Sequence, residues 1–573
     1  MSKLTLSALL LSAAFLVSGA AGKAKSYTVT ENAEWRPLLY DMTKPVVSGS
    51  ALDLSRDGVK PVERVVIRNG QFYRESDPEH PIRFYATTIS FGFPYRVPVP
   101  FSMGLQDLLR GKITRDEWRE SLRAYAKELR KRGFNMLRIG WPYLARGGVV
   151  MFNDEYFQHT LKLMDESAKA MGKPYDKIPY YDPSKINPEY TKQIEDDFDF
   201  FYAECAKQGI WIHPTLDNSP YSCLRWIDLF KNAPSQGFLV HYDEMARKDW
   251  ALAAEAYMNH VNPYTGLATK DDPQVLFCVG YNEQDFAFLR PQDWTPLKEE
   301  WKKFTKSDIP APTYRDYMKR GKNFDLIQKF VFHKELEITR YFRDELRKTG
   351  YKGFYANYDV ACTMRYSELR KEGDFVLFHR YFDHPADGGR KLTQRSVFQV
   401  NGNSYFNLSI GTKYRDLPMF IGEFDLCYPD QYRSQSPFLF SAYAALQGFS
   451  GLTPWGTTLV THKSAYISPF IHGDDPVATG GDVQSYLMFM REDVSTAKND
   501  LYLTYTPQKL TSRMLESCID EKQANLSLVT RVQLDDSQNG KPTPGATNIQ
   551  AAIPLKVGGR LVDVNIGTNG HVA

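Results

Sequence analysis

Short apolar runs alternate with longer amphipathic stretches along much of this chain. Eight of the runs read as strands: Ile82 to Ser90, Phe134 to Ile139, Ile210 to Leu216, Gln274 to Glu283, Gly353 to Tyr358, Asp374 to His379, Leu417 to Glu423 and Phe449 to Trp455. Several are apolar through the middle without polar alternation, which suits strands buried on both faces of a parallel sheet. Between them the period becomes helical. Thr114 and Glu117 have capping-box spacing, and Trp118, Leu122, Tyr125 and Leu129 follow on one face before Gly133 ends the helix. Further helices are expected over about 191–207 (carrying Ile194, Phe198, Phe201 and Cys205), 243–259, 325–348 and 436–447, with Gly209 and Gly350 as stops.

Eight strands separated by helical stretches is the count of a (β/α)8 barrel, so the expected fold is an α/β TIM barrel spanning 82–475. Ahead of it, 27–81 reads as a β-rich lead-in. Val65-Val66-Ile67, Asn69-Gly70 and Gln71-Phe72-Tyr73 signal a hairpin around a type I′ turn, expected to lie against the barrel's N-terminal face. After about 475 the helical rhythm fades. Segments such as Leu526 to Val532 and Ile549 to Val564 suggest a small β-rich C-terminal domain over 476–573. The final Gly567 to Ala573 contain no obvious closing element, as a truncated chain would.

Residues 1–21 look like a targeting segment: Lys3, an apolar stretch from Leu4 to Val17, then Ser18-Gly19-Ala20 for cleavage. No cysteine lies near that point to carry a lipid anchor, and no later apolar run reaches the roughly 20 residues of a membrane span. Export to the periplasm or medium is expected. The 573 residues exceed one ordinary core, and a net charge of +3 with both signs interspersed excludes the basic patch of a nucleic-acid binder. Aromatics are 14 % of residues, a bias that suits stacking on sugar rings as well as large cores. The six cysteines (205, 223, 278, 362, 427, 518) have no zinc-site spacing, and Cys205 and Cys278 read as buried thiols. His241, His260 and His384 show no ligand spacing either, so neither metal nor cofactor is expected.

The candidate chemistry sits where strands end. Strand four runs into Asn282-Glu283 and strand seven into Gly422-Glu423. The longest insertions follow strands two, three, four and six, and such loops gather on the face where a barrel does chemistry. A carboxylic acid on one side of a sugar and a carboxylate on the other is what cleavage of a glycosidic bond requires. Taken singly, each residue has a plainer use. Asn-Glu pairs are common in surface loops and helix caps, Arg138 alone could be a structural ion pair, and Trp455 could fill a core. Phe91, Phe93, Tyr95, Trp141 and Tyr143 fit subsite walls or loop packing, and Asp425 fits a loop hydrogen-bonder.

Taken together, Arg138, Asn282-Glu283, His379-Arg380-Tyr381, Gly422-Glu423, Trp455 and the segment His260 to Gly266 resemble the retaining glycoside hydrolases of the (β/α)8-barrel clan, most of all glycoside hydrolase family 5. The resemblance implies Glu283 as general acid then base and Glu423 as nucleophile. It implies Arg138 keeping Glu423 ionised, Asn282 bonding the sugar 2-OH, Tyr381 orienting Glu423, His379 supporting the acid/base and Trp455 as a sugar platform. Unequal surroundings should split the two carboxyl groups, which in a retaining enzyme sit about 5 to 5.5 Å apart. The chain departs from the family at strand three. There the family's histidine register falls near Asp217-Asn218, so Asp217 is a sugar-contact candidate and His213, further back, reads as a core histidine. The expected function is an exported retaining β-glycosidase acting on a polysaccharide or oligosaccharide. A β-galactosidase- or β-mannanase-type specificity, a non-catalytic carbohydrate-binding barrel and a structural envelope protein are the alternatives.

Overall fold

The structure, a computed structural model, describes residues 44–55, 58–89, 91–92, 97–98, 111–140, 188–216, 236–283, 294–318, 321, 323–357, 359, 364–383, 392–398, 405–456, 473, 475–498, 500–504, 526–535, 555–557 and 560–562. All eight expected strands are there: β1 (Phe84–Ile89), β2 (Met136–Gly140), β3 (Trp211–Thr215), β4 (Phe277–Val279), β5 (Phe354–Ala356), β6 (Val376–Tyr381), β7 (Met419–Asp425) and β8 (Gly451–Pro454). They pair in parallel in the order β5-β4-β3-β2-β1-β8-β7-β6. This is a nearly closed barrel whose seam lies between β5 and β6. Asp374 N donates to Tyr355 O at 2.9 Å across the seam, and His379 N donates to Asp359 O at its upper end.

Side chains alternate between the barrel lumen and the surrounding helices, as a pleated strand requires. Phe84, Met136, Trp211, Phe277, Phe375 and Phe420 fill the lower interior. Tyr85, Leu137, Ile212, Cys278 and Val376 face the helical layer. The helix Arg115–Lys131 shows the expected capping box, with Trp118, Leu122, Tyr125 and Leu129 buried. The helices Pro188–Lys207, Glu244–Asn259, Phe324–Lys348 and Gln435–Gln447 match the remaining amphipathic stretches. Among the described residues no helix is long and apolar enough to cross a membrane.

The lead-in closes the lower end of the barrel. Val65–Arg68 and Gln71–Arg74 form the expected hairpin, and Asp77–Pro81 adds a third strand. Its turn residues Asn69 and Gly70 have φ of 48° and 69°, the left-handed pair a type I′ turn needs. At Gly70 a Cβ would stand 2.3 Å from Arg415 O, so no other residue fits there. Phe72, fully buried, plugs the barrel floor against Phe84, Phe354 and Phe375, with ring centroids 5.4–5.7 Å apart.

The region after 475 differs in detail from its expectation. Helical rhythm continues for one more helix, Pro476–Ser485, which packs on Gln435–Gln447 and runs into a π-turn over Tyr486–Met490. The strand expected from Leu526 begins at Arg531, because 526–530 form a turn; Arg531–Asp535 pairs in parallel with Asp500–Thr504. Leu501, Leu503, Val532 and Leu534 from this small sheet join the helix-side core. Leu555–Val557 and Arg560–Val562 make a short antiparallel pair within the other expected β stretch.

If Phe72 holds the barrel floor shut, Phe72→Ala leaves a cavity lined by aromatic rings and destabilises the fold by about 3–5 kcal/mol. Urea denaturation of the two proteins measures this, and a loss under about 1 kcal/mol would mean the floor is sealed by other groups.

Candidate active site

At the upper end of the barrel the aromatic filling gives way to charge. Arg138 points inward from β2, buried, at the centre of the rim. Its Nη1 donates to Glu423 Oε1 at 2.7 Å and to Gly422 O at 3.0 Å, and its Nη2 donates to Asn282 Oδ1 at 2.6 Å. Its guanidinium carbon lies 4.7 Å from the ring centroid of Trp455, just past β8. Burial works against the guanidinium's charge, but Glu423 and then Asp359 outweigh it and hold its pKa above the ordinary value.

Glu423 faces the lumen because β7 breaks its own alternation. Phe420 points inward and Ile421 outward, so strict period two would send residue 423 out. The register with β6 jumps from Phe378↔Ile421 to His379↔Glu423, leaving Gly422 unpaired as a β-bulge. The extra residue turns Glu423 inward and Phe424 outward. Gly422 also has no room for a side chain: a Cβ would lie 2.8 Å from both His379 Nε2 and Leu377 Cδ1. Both Glu423 oxygens accept hydrogen bonds, Oε1 from Arg138 and Oε2 from the Tyr381 hydroxyl at 2.5 Å. Burial, then the Glu423 charge, keep the Tyr381 proton in place by pushing its pKa well up.

Glu283 is held differently. It follows β4 with φ of +49°, a left-handed conformation unusual for a residue with a Cβ. Its backbone N–H donates to Asp359 Oδ1 at 2.9 Å. Its Oε1 lies 3.1 Å from His379 Nδ1, which is also 3.4 Å from Glu423 Oε1. Some 32 % of the Glu283 side chain is open, against 5 % for Glu423. Even so protein groups surround it, and loss of solvation pushes its carboxyl up while Arg138 pulls it partly back. Burial lowers the His379 pKa, with Asp359 and Glu423 opposing, so the imidazole is neutral near pH 7.

The structure thus brings Arg138, Asn282, Glu283, His379, Tyr381, Glu423 and Trp455 to one rim. Trp455 meets the site through the guanidinium of Arg138. Asp217, Trp141, Tyr143, Phe93 and Tyr95 lie outside the described residues, as does the side chain of Phe91. His213 is enclosed in the lumen, its ring stacked 4.2 Å from Phe277. Cys205 and Cys278 are buried thiols, and Cys427 is a third. One participant was not foreseen. Asp359, fully buried two residues past Asn357, follows β5 much as Glu283 follows β4, and a polar Asn357-Tyr358-Asp359 after an apolar run was the available signal.

Glu283, His379 and Glu423 each offer a donor atom within 4.8 Å of the others, the one such group among the described residues. The donor set fits a cation poorly, because both Glu423 oxygens already serve Arg138 and Tyr381, and the buried guanidinium supplies the positive charge.

Neither a protein-family model nor a curated protein matches the sequence. Solved structures do resemble the chain. An endo-1,4-beta-mannanase from Rhizomucor miehei is 13 % identical over 74 % of this chain and 99 % of its own, with a TM-score of 0.43. A glycoside hydrolase family 5 mannosidase from the same organism is 12 % identical over 75 % and 99 %, also at 0.43. GH5_18 from Streptomyces cattleya, in complex with GlcNAc, is 11 % identical over 79 % and 94 %, at 0.41. Likenesses this distant assign nothing by themselves, so the chemistry rests on the rim's own geometry.

Gly422→Ala tests that geometry directly. The added methyl must displace His379 or reopen the bulge, and a shift of about 1 Å at a reacting group costs on the order of 100-fold in rate. The expected result is that loss in kcat/KM on any substrate the wild type accepts, with the circular dichroism spectrum unchanged; full activity would show the bulge is not needed.

Proposed function

We propose that the protein is an exported retaining β-glycosidase that cleaves a polysaccharide or oligosaccharide by double displacement. The observation that carries the proposal is the meeting of two glutamates in unequal surroundings. An oxygen of each lies within 4.8 Å of the other's, one carboxylate fully donor-bound and the other pushed toward its acid form. That separation favours the retaining class, about 5 to 5.5 Å between carboxyls, over the inverting one at about 6.5 to 9.5 Å.

In the first step Glu283 gives its proton to the glycosidic oxygen as Glu423 attacks the anomeric carbon. The C–O bond to the leaving group breaks and a glycosyl ester on Glu423 forms. In the second step the now ionised Glu283 takes a proton from water. The resulting hydroxide displaces Glu423, restoring both residues and releasing the sugar with its configuration retained. Arg138 and Tyr381 aim the nucleophile and receive it back as a carboxylate. Arg138 holds Asn282 Oδ1, which turns the amide NH2 to the opposite side, free to reach a sugar hydroxyl.

The decisive comparison is wild type against Glu423→Ala on a panel of aryl β-glycosides and β-linked polysaccharides. The wild type should release sugar with the β-anomer first in proton NMR, and the variant should be slower by on the order of 10⁴-fold or more. Because Glu283 must be protonated and its pKa is raised, activity is kept below that raised value and lost as pH climbs through it. The alkaline limb of kcat/KM should therefore lie above the ordinary glutamate range. Binding without turnover by both proteins would identify a carbohydrate-binding barrel instead, and neither binding nor turnover a structural protein. Export rests on Lys3, the apolar Leu4 to Val17 and Ser18-Gly19-Ala20. The mass of the protein recovered from outside the cytoplasm should lack the first residues, to about Ala21, and a full-length mass there would oppose cleavage.

A further inference from the structure

The upper rim contains a second buried carboxylate whose place the proposed chemistry leaves unexplained. Asp359 is fully buried beneath Glu283 and His379, at the top of the seam between β5 and β6. Its Oδ1 accepts the backbone N–H of Glu283 at 2.9 Å. Its Oδ2 faces His379 Nε2 at 3.5 Å, an ion-pair distance longer than a hydrogen bond, and neither atom has a hydrogen-bond partner among the described residues. On the other side of the ring, Nδ1 looks at Glu283 Oε1 at 3.1 Å and Glu423 Oε1 at 3.4 Å. The imidazole thus stands between a carboxylate below and the reacting pair above.

A neutral imidazole has one N–H and one lone pair, and the partner of one nitrogen decides the role of the other. A carboxylate at Nε2 calls for the proton there. We propose that Asp359 is a positioning residue that fixes the His379 proton on Nε2, so that Nδ1 accepts a hydrogen bond from the carboxylic acid of Glu283 and keeps that acid loaded. The proposal rests on Glu283 being the general acid. The groups facing Glu283 are Arg138 from β2, His379 and Tyr381 from β6, Glu423 from β7 and Asp359. Those facing His379 are Asp359, Glu423, Glu283, Arg138, Arg370 and His213. Of these, only Asp359 is close to Nε2 in a way that selects a tautomer.

Asp359→Asn reverses the selection with almost no change of shape. The amide oxygen must stay on the Glu283 N–H, because an NH2 there would meet a donor. The amide NH2 then points at His379 Nε2 and donates. The ring proton moves to Nδ1, where it donates to a carboxylate and favours the ionised form of Glu283. Such an exchange behind a catalytic histidine costs about 10⁴ in kcat in a serine protease by installing the wrong tautomer. Here the histidine acts one step further from the reacting atoms, so the loss should be on the order of 10²-fold.

The experiment joins kinetics to a direct view of the ring. Nitrogen-15 NMR of histidine-labelled protein, with His379 assigned by the loss of its signal in His379→Gln, should show Nε2 protonated and Nδ1 bare in the wild type. It should show the reverse in Asp359→Asn. The variant's kcat/KM should fall by on the order of 10²-fold on substrates with poor leaving groups but only a few-fold on dinitrophenyl glycosides, which need no acid. Its alkaline limb should move down by about one pH unit. A merely structural role would slow all leaving groups alike and leave the limb in place, and that result would overturn the proposal. So would a wild-type ring protonated on Nδ1, which decides the matter even if the variant does not fold. A wild type that cleaves no glycoside yet shows the Nε2–H ring sinks the glycosidase reading and leaves the tautomer assignment standing. An active enzyme with the opposite ring does the reverse.

Discussion

The upper half of the barrel depends on one guanidinium. Arg138 leaves β2 and reaches Asn282 after β4, Glu423 and a carbonyl on β7, and the indole after β8. A charge this deep is tolerated because its two Nη groups are paired, although its Nε has no hydrogen-bond partner among the described residues, and removing one member of a buried pair typically costs about 3–5 kcal/mol. The same contacts that make the ion pair tolerable fix the distance and direction of the nucleophile candidate. Stability and chemistry are therefore tied to the same atoms at this end. At the opposite end the side chains of Phe72 and its ring neighbours meet through apolar contact.

This polarity explains what the sequence made legible. Apolar runs flanked by amphipathic helices announce barrel strands because burial on both faces leaves few other places for such residues. Glu283 and Glu423 stood out as charges closing those runs. The direction of a side chain is harder to read. By period two from Phe420, residue 423 should point at the helices, and only the bulge at Gly422 brings it inward. A glycine before a glutamate hints at this, but the pairing partner that leaves Gly422 out of register lies on another strand. The role of Trp455 is hidden for a similar reason, since its contact with Arg138 joins residues 138 and 455 across the barrel mouth.

The C-terminal region shows the other limit. Leu526 to Val532 has strand-like composition, yet Leu526 O accepts from Val529 N and Thr530 N, and the ladder starts only at Arg531. Local turn bonds won over β propensity there, because a strand exists only where a partner offers its edge.

Asp359 draws these threads to the seam. Where β5 and β6 lack a regular ladder, a residue that follows β5 bonds to the ends of both neighbouring strands. His379 N–H goes to the Asp359 carbonyl, and Glu283 N–H goes to the Asp359 carboxylate. A left-handed residue such as Glu283 costs roughly 1–2 kcal/mol in backbone energy, and a charge-assisted hydrogen bond of about 1.5–3 kcal/mol offsets it. The gap in the sheet is thus where the chain can hold an acid in an uncommon backbone shape and set the imidazole beside it. Asp359 links three strand ends, its carbonyl bound to β6 through His379 N–H and its carboxylate to a residue after β4 through Glu283 N–H.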